Sequence, residues 1–319
     1  MLKRAVKQLL ASQLGWAAYS SQRRPGLCVL TYHRINAPGA IFPGLAVDAF
    51  RGQVAWLRRR CRVVDAAEAL DYLERPSGKV PVLLTFDDAY RDYHDVAYPV
   101  LDAERVPALL FVPTAFIGGT ALIWTDKVDC AAHHTRVATA RLPWETEAID
   151  LRDAEAKRTF VSRAKRHLKS LSDSHRCEQL ERLLHELRVP EPEKLVPREM
   201  MSWEEIRATL PLTTIGGHSH GHSILSKLEQ ATLADDIGVC RRQLDQHVGA
   251  TRFFAYPNGQ AADFDAATRA CLLANGFDVA FTTLSGINRN DADRMALRRQ
   301  PTSGRSTADL AFLLTRTGH

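Results

Sequence analysis

The chain has 319 residues, enough to bury a sizeable core, and its 45% hydrophobic and 25% charged content is ordinary for a soluble globular protein. A net charge of +5 is too modest a surplus to point to nucleic acid, so no nucleic-acid partner is expected. Six cysteines, Cys28, Cys61, Cys130, Cys177, Cys240 and Cys271, are scattered without close pairs, which excludes a zinc-ribbon spacing or a visible disulfide framework and favours a reducing compartment.

At the N-terminus, Leu2, Val6, Leu9, Leu10, Leu14 and Ala17 recur at helical spacing beside Lys3, Arg4 and Lys7, which predicts an amphipathic basic helix over residues 1–24. The stretch is too short and polar to span a bilayer, and it lacks the apolar core and cleavage site of a secretory signal. Two roles stand for it: packing on its own domain, or lying on the inner face of the cytoplasmic membrane as a peripheral contact. A cytoplasmic location, free or against that membrane, is the expectation.

Residues 25–319 read as one domain. A first core strand is predicted in GLCVLTYHRI (26–35), a helix in AFRGQVAWLRRR (49–60), a short strand and helix in CRVVDAAEALDYL, and a buried strand at 80–86. Another helix and strand follow in AYPVLDAERV and PALLFVPTAFI. From about residue 125 to 200 the texture turns charged and helix-favouring, a helical insertion in the alternation. Alternation resumes through SWEEIRATL, TTIGGHSHGHS, LADDIGVCRRQLDQHVG, TRFFAYPNGQ and FDAATRACLLANG to FDVAFTTLSG. The fold class is therefore α/β with a largely parallel sheet, open or closed into a barrel.

Two stretches carry chemistry. VPVLLTFDDAYRDY (80–93) runs a buried strand into adjacent carboxylates, Asp87 and Asp88, at the strand end where α/β enzymes place their sites. Taken alone, the pair has a second role open to it, capping the next helix. IGGHSHGHSIL then places His218, His220 and His222 after a strand ending in two glycines, which permit close approach and a sharp turn. Imidazoles four residues apart share one side of a helical turn and can grip one cation, with His220 pointing elsewhere; a solvated polar loop is the alternative. Two His and one carboxylate leave coordination positions open for hydrolysis, so Asp88, His218 and His222 form a candidate metal set and Asp87 is free to act as base. A cation on Asp88 would also offset the repulsion between the paired carboxylates.

TFDDA, HSHGH and RFFAYPNG (252–259) resemble, in order, the three leading motifs of the polysaccharide deacetylases, the NodB-homology or carbohydrate esterase family 4 enzymes. The resemblance covers nearly all the chain from residue 26, the insertion excepted. It implies a distorted (β/α) barrel, a divalent metal, usually zinc, and hydrolysis of an N-acetylated saccharide. It assigns Asp87 as catalytic base, Asp88, His218 and His222 as metal ligands, and the Asn258 backbone amide as oxyanion donor, with Tyr256 and Pro257 walling the site. The early YHRI resembles the branch related to poly-N-acetylglucosamine deacetylases and makes His33 the candidate acid, since no late histidine motif is present.

The motif arginine that touches the base in many relatives is replaced by Ala255; Arg298 or Arg299 in MALRRQPTSG is the candidate to reach in instead. Arg299 and Trp124 are carried as further substrate contacts, although an aromatic at position 124 is equally suited to a core. The expected substrate is an N-acetylhexosamine unit of a surface polysaccharide or of its lipid-linked or nucleotide-linked precursor. Rival functions are metal-dependent hydrolysis of another C–N bond, such as a cyclic amide, or non-catalytic carbohydrate binding. The residues carry no signal of oligomeric state.

Overall fold

The computed structural model describes residues 26–36, 40–75, 81–302 and 306–316, together with 7–9, 11–12 and 15–16. Its main sheet uses the predicted apolar runs: β1 (Cys28–Tyr32), β2 (Arg62–Val63), β3 (Pro81–Phe86), β4 (Ala108–Val112), β5 (Thr213–Gly217), β6 (Phe253–Ala255), β7 (Val279–Phe281) and β8 (Gln300–Pro301). The spatial order is β7-β6-β5-β4-β3-β1-β8, every pairing parallel, with β2 pairing the start of β3 before β4 takes over. Every residue of β1, β3 and β4 is buried. This is why these strands read as continuous apolar runs: a parallel sheet is covered on both faces.

The seven-strand path curls into an incomplete (β/α) barrel. Leu297 bridges Phe281 at the end of β7, and three residues later Gln300 pairs with Leu30 of β1, so one extended segment draws the two ends of the sheet together. Alternate side chains then separate into two layers. Val29, Leu83, Leu109, Phe111, Phe253, Val279 and Phe281 form an inner cluster with the helix Ala66–Glu74. Leu30, Tyr32, Leu84, Phe86, Leu110 and Val112 face outward onto the surrounding helices. In the outer layer Tyr32 stacks on Phe86, and Tyr93 meets Phe86 edge-on, contacts of about 0.5–1.5 kcal/mol each beyond their burial.

Between β4 and β5 the helices Trp124–His134, Ala154–Ser170 and Asp173–Glu186 pack around a hydrophobic cluster of their own. Its return segment is stitched to the strand ends: Tyr90 bridges Met200, and the Arg91 N–H donates to the Glu199 carbonyl.

Most of the predicted N-terminal helix, including Leu2, Val6, Leu10, Leu14 and Ala17, lies outside the described residues. The described part touches the domain: Trp16 is buried edge-on against Trp56, and Lys7 pairs with Asp309. Among the described residues, no helix is long and apolar enough to cross a membrane.

Candidate active site at the carboxyl ends of the strands

Because all main strands run parallel, their carboxyl ends open on one side, and the loops leaving them carry the polar residues. His33 follows β1, Asp87 and Asp88 follow β3, His218 follows β5, Asn258 lies three residues beyond β6, and Thr283 follows β7. These residues line a single cleft of about 360 Å³. A larger cavity of about 950 Å³ lies elsewhere, near His134, Arg136 and Arg188, with none of these groups in its walls. Chemistry, rather than size, selects the smaller one.

Asp87 continues the sheet hydrogen bonding, its N–H donating to the Tyr32 carbonyl. The chain then departs from the strand, because Asp88 (φ 73°) and Ala89 (φ 52°) both adopt left-handed backbone conformations. For residues with a Cβ that conformation costs roughly 1–2 kcal/mol each, so surrounding contacts must hold it. They do: the Ala89 carbonyl accepts from Met201, and its neighbours pair with the return segment of the helical region. Strand end and return segment together fix the two carboxylates.

Asp87 is 3% exposed and receives a two-pronged hydrogen bond from Arg299, at 2.6 Å to Oδ1 and 2.8 Å to Oδ2. Arg299 is fully buried, with its Nε donating to the Thr282 carbonyl. Burial pushes the Asp87 carboxyl up, but Arg299, with His218 and His33 behind it, outweighs burial and holds it below its ordinary value. The expectation that Arg299 touches substrate is corrected here: with no exposed surface, it grips Asp87 instead. It, and not the exposed Arg298, occupies the role left open at Ala255.

Asp88, His218 and His222 are all buried, and one donor atom from each lies within 4.8 Å of the others. Asp88 Oδ1 stands 3.4 Å from His218 Nε2 and 3.0 Å from His222 Nε2. His218 Nδ1 lies 2.7 Å from the Ala255 carbonyl, which can only accept, so Nδ1 carries a proton and Nε2 is the ring atom turned toward Asp88. Asp88 Oδ1 and His222 Nδ1 are buried without hydrogen-bond partners. Burial raises the Asp88 carboxyl, and the imidazoles of His222 and His218 reverse this and hold it well below the usual range. Converging acceptors with an orphaned buried oxygen fit a cation.

The histidine pair is not held as predicted. Residues 218–222 form a loop and not a helical turn, with Ser219 (φ 64°) and His222 (φ 53°) left-handed. Asp236, on the helix Gln230–His247, accepts the N–H groups of His220 and Gly221 at 2.8 Å each. His220 turns away and its Nδ1 lies 2.9 Å from Thr114 Oγ1, while the Ala115 N–H donates to its carbonyl. Gly216 serves packing rather than turning: a Cβ there would come within 2.7 Å of the Phe111 ring.

His33 is 45% exposed along its side chain, and its Nε2 lies 3.8 Å from Asp87 Oδ2. Asn258 (φ 60°) tops the Pro-Asn-Gly turn, where its carbonyl accepts from Thr283 Oγ1 at 2.5 Å and the Gly259 N–H donates to Pro257. Its own N–H has no acceptor among the described residues. Three predicted substrate contacts are displaced. Tyr256 is fully buried, its hydroxyl donating to the Met295 carbonyl, and Pro257 is buried beside it. Trp124 packs in the helical cluster below Arg176. None of the three lines the cleft.

Residues unforeseen from sequence complete the wall. Arg34 donates to Asp126 at 2.9 Å and Glu199 at 2.7 Å, its guanidinium carbon 3.5 Å from the Tyr90 ring centre and 4.3 Å from that of Phe42.

No protein-family model matches the chain, and no curated protein does either. Solved structures do. IcaB from Ammonifex degensii superposes with a TM-score of 0.60 at 22% identity, covering 92% of this chain and 98% of that one. The Streptococcus pyogenes deacetylase PplD, solved in complex with acetate, gives 0.60 at 15% identity over 93% and 100%. The deacetylase domain of BpsB from Bordetella bronchiseptica gives 0.53 at 18% identity over 87% and 97%. The chain has the fold of these proteins.

Proposed function

We propose that this chain is a metal-dependent polysaccharide deacetylase, removing N-acetyl groups from N-acetylhexosamine units of a surface polysaccharide or its lipid-linked or nucleotide-linked precursor. One observation carries the proposal: Asp88, His218 and His222 converge with an orphaned carboxylate oxygen, directly beside a second carboxylate, Asp87, that has its own arginine. The fold shared with solved deacetylases supports it.

Asp88, His218 and His222 would hold a divalent cation, zinc being the natural choice for a two-His, one-carboxylate set; such an ion lowers the pKa of water to about 7 and polarises a carbonyl. Asp87, kept ionised by Arg299, accepts the proton of the attacking water. The guanidinium ensures the charged form at the cost of some basicity. The Asn258 N–H, without an internal acceptor, meets the negative charge developing on the acetyl oxygen. His33, beside Asp87 at the mouth of the cleft, donates a proton to the departing nitrogen as the C–N bond breaks. Water and the N-acetyl sugar become acetate and a free amine.

Acetate release from an N-acetylglucosamine oligomer tests this. Chelation is expected to abolish it and added divalent metal to restore it. His218→Ala loses metal and activity together, whereas Asp87→Asn keeps its metal and loses about 100- to 10,000-fold in turnover. Full activity in Asp87→Asn would remove Asp87 as the base.

A further inference from the structure

The helix Ala154–Ser170 brings Lys165 and Lys169, one turn apart, into the lining of the cleft that exposes Asp87 and Asp88. The charges around that cleft can be followed one by one. Asp87 is matched by Arg299 and Asp126 by Arg34. Asp129 is matched by Lys165, whose ammonium lies 2.6 Å away. Asp88 belongs to the cation site. Asp87, Asp126 and Asp129 thus each face a basic side chain before Lys169 is considered.

Lys169 forms no ion pair among the described residues. The acid that attracts it, Asp263, stands beyond ion-pair distance, is shared with Lys227, and already accepts the Gln260 N–H. Although the side chain is exposed, protein around its ammonium pushes the pKa of Lys169 down, and the like charge of Lys165 adds to this against the pull of Asp263. An unpaired ammonium lining a reaction cleft, with its nearest acid engaged elsewhere, is a point charge suited to phosphate or carboxylate oxygens.

We propose that Lys169 forms an anion subsite, and that the preferred substrate is an N-acetylated saccharide bearing a phosphate or carboxylate on or next to the sugar being deacetylated. This rests on the deacetylase reading for the sugar and adds the charge. A neutral N-acetylglucosamine oligomer is then the poorer substrate.

The test uses the full chain with its metal. N-acetylglucosamine 1-phosphate, a disaccharide of N-acetylglucosamine and glucuronic acid, and a neutral N-acetylglucosamine disaccharide are compared by calorimetric binding and by acetate release. At least one anionic ligand is expected to bind about tenfold tighter than the neutral one, with the preference falling as salt rises. Which of the two gains identifies phosphate or carboxylate. Lys169→Ala should erase that preference in both affinity and KM, and Lys169→Arg should restore most of it. Equal binding of all three ligands, or a preference that survives in Lys169→Ala, overturns the subsite. Anion-selective binding that depends on Lys169, without acetate release from any ligand, supports the subsite while overturning deacetylation.

Discussion

Two arginines are buried around the cleft, and they meet their acids differently. Arg299, on the floor, faces one carboxylate and satisfies both of its oxygens. Arg34, on the wall, is sandwiched between Tyr90 and Phe42 and divided between Asp126 and Glu199, with Asp92 close enough to feel its charge. The floor is balanced one to one, as a site must be when its carboxylate has to stay ionised and in place. The wall has more acid than base. Its arginine acts as a staple, tying the end of β1 to the first helix of the helical region through Asp126 and to that region's return segment through Glu199.

Removing Arg299 breaks the floor and should have the largest effect. Arg299→Met leaves Asp87 buried without a partner, a loss expected to cost about 3–5 kcal/mol in stability. It should also raise the Asp87 pKa and depress turnover. Arg299→Lys keeps the charge but not the fork, so chemical denaturation should place it between wild type and Arg299→Met. If Arg299→Met were as stable as wild type, the floor would not depend on its matched pair.

The histidine loop sharpens the contrast, because there a carboxylate acts on backbone rather than on a cation. Burial pushes the Asp236 carboxyl up, while the Gly221 and His220 N–H groups it accepts pull it back. Asp236→Ala leaves both N–H groups without acceptors, at about 1–3 kcal/mol each if they stay buried. Since His218 and His222 flank this clamp, metal affinity should drop about tenfold or more. Asp236→Asn keeps one acceptor oxygen and should recover part of it. Unchanged metal affinity in Asp236→Ala would show that the loop holds its shape without the clamp.

Local chemistry made much of this visible in the sequence. The buried strands announced themselves as apolar runs, and their ends marked where Asp87, Asp88 and His218 would stand. What stayed hidden depends on distance in the chain. Arg299 and Asp87 are separated by 212 positions, Arg34 and Glu199 by 165, and no local pattern tells a buried arginine from a solvated one. The i, i+4 spacing of His218 and His222 suggested a helical turn, whereas left-handed Ser219 and His222 bring the rings together through a loop. Tyr256 departs from expectation for a related reason, since an aromatic within a motif does not reveal which side of the backbone the ring takes, whereas Trp124 takes the core role its residue type equally allowed.

The surplus of acid on the wall gives the smallest effect and the one whose sign is least obvious. Burial pushes the Asp92 carboxyl up to about 7, opposed by Arg34 and the Ile35 N–H and aided by Glu199 and Asp126, and its Oδ1 has no hydrogen-bond partner. Between the ordinary carboxylate value near 3.8 and about 7, the folded chain therefore binds a proton that the unfolded chain releases. Stability is lost as pH rises through that window, opposite to the behaviour of a carboxylate paired like Asp87. Asp92→Asn removes the ionisation and should stabilise the protein at pH 8 by about 1–3 kcal/mol, with little gain at pH 4. Thermal unfolding of both proteins across this range checks it, and an equal shift at both ends would mean that Asp92 is already paired on the wall.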